Sequence, residues 1–73
     1  MPKLLNPRHI IKVLEKRGFI FISQKGSHVK YRKITKNETL TVIIPIHSKE
    51  IPIGTFKSIL RQSNLTEEDF KKK

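Results

Sequence analysis

The sequence contains no cysteine, no tryptophan and only six acidic residues among its 73. Without cysteine the chain can form no disulfide, no thiolate zinc site and no thiol nucleophile, so the cross-links that stabilise many small secreted proteins are excluded. A chain of this length forms one domain at most, with a small core and a thin margin of stability. Large multilayer enzyme folds are therefore excluded.

Long apolar segments are also missing. The longest apolar run covers residues 19–22, and a membrane-spanning helix needs roughly 20 apolar residues. The first residues contain neither the extended apolar stretch nor the cleavage pattern of a secretory signal. We therefore expect a soluble, cytoplasmic protein that does not bind a membrane.

Positive charge dominates the composition and is unevenly distributed. Sixteen Lys and Arg residues give a formal net charge of +10. Residues 1–36 hold ten of them against one acid, Glu15, whereas residues 37–73 hold six against five acids. A field concentrated in one half favours a polyanion, of which nucleic acid is the commonest. A solvated surface without a partner is the alternative that composition leaves open.

Residues 7–17 are predicted to form a helix. Asn6 followed by Pro7 is typical of an N-cap and a first helical residue, and apolar residues then recur at helical spacing. Gly18 follows as a left-handed C-terminal cap would. His9, in the first turn, is expected to lie at the surface.

The second half of the chain shows further helical signals. Phe56, Ile59 and Leu60 form an apolar stripe that predicts a helix over residues 55–63, with Asn64 as its C-cap. The hydroxyl of Thr66 and the acidic residues 67–69 are typical of the start of a helix, so a short third helix anchored by Phe70 is predicted. We expect residues 1–73 to form a single domain, ordered over about residues 3–70, with a frayed basic tail at residues 71–73.

Three strands are predicted between the helices. Residues 19–22 are aromatic and β-branched and stop at a turn over residues 24–27, where Gly26 permits tight geometry. Residues 28–34 and 39–46 alternate apolar and polar side chains and are joined by a polar loop at residues 35–38. The expected fold is α+β in the order α-β-β-β-α, a three-stranded antiparallel sheet with the helices on one face.

The loop at residues 35–38 determines how the second and third strands pair. Residues whose numbers sum to 73 lie opposite each other, so His28 faces Pro45, Lys30 faces Ile43, and His47 is diagonal to His28. The predicted core comprises Ile10, Leu14, Val29, Tyr31, Leu40, Val42, Ile44, Phe56, Ile59 and Leu60. The open face gathers His28, Lys30, Arg32, Thr41, Ile43 and His47. Such a mixture suits a contact surface for RNA or protein.

Three sequence blocks carry a family resemblance. Residues 24–28 read Gln-Lys-Gly-Ser-His and lead into a strand, residues 42–47 read Val-Ile-Ile-Pro-Ile-His, and residues 53–62 read Ile-Gly-Thr-Phe-Lys-Ser-Ile-Leu-Arg-Gln. In this order and at these separations they resemble the HicA family of toxin–antitoxin ribonucleases over nearly the whole chain. Gly-Ser-His alone is a weak signal, but the combination is a strong one.

The resemblance implies a fold similar to the double-stranded RNA-binding domain. It also implies a metal-independent endoribonuclease that cleaves mRNA, without a cofactor, and inhibits translation until a HicB-type antitoxin binds. The family's catalytic histidine matches His28, and Gly26 and Ser27 match the motif before it. Lys25 is a natural phosphate contact beside this histidine, and His47 corresponds to the family's second frequent histidine, expected to contact RNA.

RNA cleavage is chemically within reach of so small a domain, because RNA carries its own 2′-OH nucleophile. The enzyme needs a neutral imidazole to accept the 2′-OH proton, the role expected of His28. Lys25, Lys30 and Arg32 would stabilise the negative transition state, and the products would carry 2′,3′-cyclic phosphate and 5′-OH ends. Lys57 is the only lysine in the first turns of the predicted second helix, which argues against standard duplex binding.

Two other classes of function remain open. A non-catalytic RNA-binding module would use the same basic face but would have no need of His28. A protein-interaction domain would use the open face and Ile43 to receive an acidic partner. The histidines at positions 9, 28 and 47 are widely spaced, and His28 has no acidic neighbour in sequence, so no local metal-ligand cluster is predicted.

Overall fold

The computed structural model describes residues 5–47 and 49–71 of the chain. The elements follow in the order α1 (Pro7–Lys16), β1 (Ile20–Lys25), β2 (His28–Ile34), β3 (Thr39–Pro45), α2 (Ile53–Ser63) and α3 (Glu67–Lys71). The strands form one antiparallel sheet in the order β1-β2-β3. The predicted α+β fold, similar to the double-stranded RNA-binding domain, is confirmed.

Helix α1 begins and ends on the predicted signals. The Asn6 side chain accepts a hydrogen bond from the backbone N–H of His9 at 2.8 Å, and Pro7 occupies the first turn. At the other end Arg17 is the C-cap, and Gly18 has a φ of 95°, which glycine adopts without strain. The helix ends one residue earlier than predicted.

Strands β2 and β3 pair in the predicted register. His28 lies opposite Pro45 and Lys30 opposite Ile43, and the pairing continues to Ile34 and Thr39. The loop at residues 35–38 connects them as predicted. Strand β3 ends at Pro45 rather than at residue 46, although the N–H of Ile46 still donates to the Ser27 carbonyl at 2.7 Å.

Strand β1 differs most from its prediction. It covers Ile20–Lys25 rather than residues 19–22, and the turn contains only Gly26 and Ser27, because Lys25 already pairs with His28. The pairing shifts between Phe21 and Ser23, so one extra residue bulges from the strand. The polar residues 23–25 lack strand propensity, but pairing with β2 recruits them into the sheet.

The core lies between the sheet and the helices. Its fully or almost fully buried apolar residues are Ile10, Val13, Leu14, Phe19, Val29, Tyr31, Val42, Ile44, Ile51, Ile59 and Phe70. Leu40, Phe56 and Leu60, which we predicted to be buried, are only partly buried and pack against this cluster. Ile51 was not predicted, because it stands in the irregular segment before α2, where no periodicity marks a buried side chain.

Helices α2 and α3 close the other side of the core. Helix α2 begins at Ile53, two residues earlier than predicted, and ends at the predicted C-cap Asn64, whose φ of 61° is left-handed. Helix α3 places Phe70 against the ring of Phe56 with their centroids 5.4 Å apart. Of the predicted limits, residues 1–4 and 72–73 lie outside the described residues, and Lys71, counted with the tail, is the last residue of α3.

His9 is not a surface residue as expected. It is half-buried, and its Nε2–H donates to the carbonyl of Phe70 at 2.5 Å. Arg17 at the end of α1 donates to Asp69 at 2.6 Å. The two contacts hold α3 against α1, and they could not be predicted because they join residues far apart in the sequence.

No helix among residues 5–47 and 49–71 has the length and apolar character needed to cross a membrane.

Tyr31 places a titratable hydroxyl in the core. Its hydroxyl donates to the Glu15 carboxylate at 3.2 Å, and only 6% of the residue is exposed. Burial raises the pKa of Tyr31 above its ordinary value of 10.0, and the hydrogen bond to Glu15 and the charge of that carboxylate raise it further. The raised pKa means that the neutral Tyr31 hydroxyl contributes to the free energy of unfolding. This contribution is fully present below pH 10.0 and is lost as the pH rises through the folded-state pKa, because the unfolded chain ionises first.

We expect Phe70→Ala and Phe21→Ala to differ sharply in stability. Phe70 is 0% exposed, so its loss leaves a cavity and costs about 3–5 kcal/mol. Phe21 is 53% exposed, and its ring centroid lies 5.9 Å from that of Tyr31 in an edge-to-face arrangement. Loss of the Phe21 ring therefore costs about 1 kcal/mol. Urea unfolding measures both, and equal costs would contradict the assignment of Phe70 to the core.

Tyr31→Phe is expected to flatten the fall in stability on the alkaline side of pH 10.0, compared with the wild type. The chain has one tyrosine and no tryptophan, so tyrosinate absorbance in the wild type follows this group alone. Its midpoint should lie above 10.0. Glu15→Gln should lower the midpoint without abolishing the shift, because burial is the largest cause. A wild-type midpoint at or below 10.0 would contradict the environment described.

Candidate functional site

His28 is the first residue of β2 and follows the two-residue turn of Gly26 and Ser27. Gly26 has a φ of 59°, and a Cβ there would meet nothing within 4 Å, so the backbone conformation rather than crowding selects glycine. The tight turn brings Lys25 directly opposite His28. Since the strand carries it at the rim of the sheet, the imidazole is exposed to solvent.

The predicted cations share the sheet face with His28. Paired residues of antiparallel strands project to the same side, so Lys25 lies beside His28, and the alternation along β2 adds Lys30 and Arg32. The guanidinium of Arg32 donates from Nε to Thr41 Oγ1 at 3.1 Å. Arg32 stands four residues from His28, roughly 13 Å along the strand, so it does not join the group around His28. Together with Lys30 it forms a line of positive charge along β2, which we call the basic track.

His47 comes close to His28, as the predicted diagonal required. The ring centroids are 6.4 Å apart, with the rings tilted by 49°. The backbone bond from Ile46 N–H to the Ser27 carbonyl joins the segment carrying His47 to the turn before His28. The site residues Lys25, Gly26, Ser27, His28 and His47 therefore lie together at one end of the sheet.

A groove of about 370 Å³ lies beside the two histidines, between β3 and α2. Its lining residues are His28, Ile43, Pro45, His47, Pro52, Thr55, Ser58 and Gln62. Gln62 Oε1 accepts a hydrogen bond from the Ile43 N–H at 3.0 Å, which fastens α2 to the edge of β3. The face that we predicted to be open thus has a wall along one side.

Thr55, Ser58 and Gln62 belong to the third block of the family resemblance, but the sequence analysis gave them no role in the site. Their spacing places them along one flank of α2, next to the apolar stripe that packs into the core. Such a polar stripe usually faces solvent, so only the position of α2 beside β3 reveals that it lines the groove. Across residues 5–47 and 49–71, no acidic residue lines the groove, and no three His, Asp or Glu side chains cluster as ligands for a metal ion.

The comparisons with known proteins agree with this arrangement. Residues 7–65 match the family model described as the HicA toxin of bacterial toxin–antitoxin systems. Among curated proteins no significant match was found. The matched segment runs from the start of α1 past the end of α2 and includes every residue of the site and groove. Since the match covers well over half of the chain, this protein belongs to the HicA toxin family and has the role of a toxin in a toxin–antitoxin pairing.

Proposed function

We propose that this toxin is a metal-independent endoribonuclease that cleaves mRNA, with His28 as its general base. One observation carries the proposal: His28 is exposed at the end of the sheet, and Lys25 is its direct register partner. A base accessible to a polymer and a cation beside it are the two groups that cleavage by the 2′-OH requires. The basic track through Lys30 and Arg32 supplies contacts for neighbouring phosphates.

The reaction needs one proton acceptor and charge stabilisation. The His28 imidazole takes the proton of the ribose 2′-OH, and the 2′-oxygen attacks the adjacent phosphorus. The bond to the 5′-oxygen breaks, and that oxygen takes a proton from water, leaving a 2′,3′-cyclic phosphate and a 5′-OH. The hydroxide formed from this water takes the proton from the His28 imidazolium, which restores the neutral base. No metal ion is needed as a source of the nucleophile, because the substrate provides it.

Four other site residues bind and orient the substrate. Lys25 stabilises the negative charge that develops on the phosphate. Gly26 and Ser27 form the turn that sets the direction of the His28 side chain, and Gly26 is exposed, so RNA can approach the turn there. The ring centroid of His47 is 6.4 Å from that of His28. His47 contacts the RNA on the side of His28 that faces away from Lys25.

The second partner is an antitoxin of the HicB type. To neutralise the toxin it has to cover His28 and the basic residues around it, and an acidic surface would associate with them fastest. We place the toxin, the antitoxin and the mRNA in the cytoplasm, and treat residues 1–73 as one functional domain. The alternative function, RNA binding without cleavage, would use the same basic face.

His28→Ala and His28→Gln are expected to lower RNA cleavage by about 10²- to 10⁴-fold, the usual contribution of a positioned proton acceptor. Because His28 is exposed, both variants should unfold at the wild-type urea concentration. Mapping of RNA ends should show 2′,3′-cyclic phosphates with the wild type, with and without a chelator, and growth arrest should follow cleavage.

Three outcomes contradict parts of this proposal. Equal cleavage by the wild type and both variants would remove His28 from catalysis. Loss of wild-type cleavage in chelator would overturn the metal-independent mechanism. RNA binding by all three proteins without any cleavage would leave the non-catalytic module as the function.

Lys25→Ala is expected to weaken RNA binding and to reduce the salt dependence of log K by about one unit of slope, because one phosphate contact is lost. Lys36→Ala is the matched control, since Lys36 is exposed in the loop at the opposite end of β2. Titration of a short RNA at several salt concentrations measures both. An identical change in slope for the two variants would show that charge at any position, and not the site beside His28, determines binding.

A further inference from the structure

The groove between β3 and α2 is chemically different from the basic surface on the other side of His28. His28 stands on the central strand, with Lys25 of β1 on one side and the groove on the other. Among the described residues that line the groove, the only ionisable side chains are the two histidines. A phosphate would be held by the lysines, so the groove fits an uncharged part of the substrate.

The α2 wall of the groove offers hydrogen-bond donors. Gln62 Oε1 is occupied by the Ile43 N–H, so its amide NH₂ remains to donate. Ser58 Oγ accepts from Arg61 at 3.2 Å, and its own O–H remains to donate. Within residues 5–47 and 49–71 the hydroxyl of Thr55 has no hydrogen-bond partner. This wall therefore fits ring nitrogens and carbonyl oxygens, the acceptors on the edge of a nucleobase.

The other lining residues of the groove offer aliphatic and ring surfaces. Ile43, Pro45 and Pro52 supply aliphatic contact, and the imidazoles of His28 and His47 supply rings on which a base can stack. The volume of about 370 Å³ is near the lower end of the range of small-molecule sites. An unstacked base of a single strand has this combination of apolar faces and a polar edge, whereas bases inside a duplex do not expose it.

We propose that this groove binds one unstacked nucleobase next to the scissile phosphate, and that Thr55 and Ser58 select which base is accepted. The inference rests on the proposed cleavage of RNA by His28 and adds sequence selection to it. Phosphates follow Lys25, Lys30 and Arg32, while the base turns to the β3 side of His28. The neutral hydrogen-bond donors of α2 then select the base, while the basic residues attract the phosphates of any RNA sequence.

The test measures base preference without cleavage. Four trinucleotides, each of one base and 2′-O-methylated so that no 2′-OH nucleophile is present, are titrated against the wild type and against Thr55→Val/Ser58→Ala. The wild type should bind its preferred base about 10-fold more tightly than the weakest, and the double variant should reduce that ratio to about 3-fold or less, since each lost hydrogen bond removes a few-fold of discrimination.

Thr39→Val is the matched control. Thr39 is exposed at the other end of β3, six residues from Pro45, which is roughly 20 Å along the strand. This control should keep the wild-type preference.

The inference is overturned if the wild type binds all four trinucleotides equally or none of them, as it would if the groove served a protein partner instead. It is also overturned if the double variant keeps the wild-type preference, or if Thr39→Val loses it as well. Cleavage of unmodified RNA is measured in parallel. Base preference without cleavage would refute the proposed catalysis and keep the base site, whereas cleavage with no base preference would do the reverse.

Discussion

The pairing of β2 with β3 is the constraint on which the rest of the molecule depends. Because side chains alternate across a sheet, this register puts Val29 and Val42 in the core and the residues next to them on the opposite face. A shift by one residue would bury Lys30 and expose its apolar neighbours. The same pairing that builds the core therefore also assembles the basic face around His28.

The site is held by short backbone connections at one end of the sheet. The two-residue turn after Lys25 aligns it with His28, and the bond from Ile46 to Ser27 brings in the segment with His47. These are hydrogen bonds and turn geometry rather than core packing, so the exposed site places little demand on a small core. A domain of this size could therefore support the proposed cleavage, in which the RNA itself would supply the nucleophile.

Stability comes from elements far apart in the sequence. Phe70 of the short last helix fills the core beside Phe56, and His9 binds the carbonyl of the same residue. These contacts join the first helix, α1, to the last helix, α3. A toxin whose core is this small depends strongly on each buried residue, and binding of an antitoxin would add stability by mass action.

The sequence by itself determined the order of elements, the register of β2 and β3, the caps at Asn6 and Asn64, and the gathering of the basic residues with His28. These follow from local signals: periodicity, cap chemistry and the length of one loop. Only the tertiary structure decided the full length of β1, the burial of Ile51, the role of His9 and the position of α2 against β3. Each of these depends on contacts between distant segments, and such contacts leave no periodic pattern. The groove that Thr55 and Ser58 line is the clearest case, because a polar helix face looks the same in sequence whether it meets water or encloses a site.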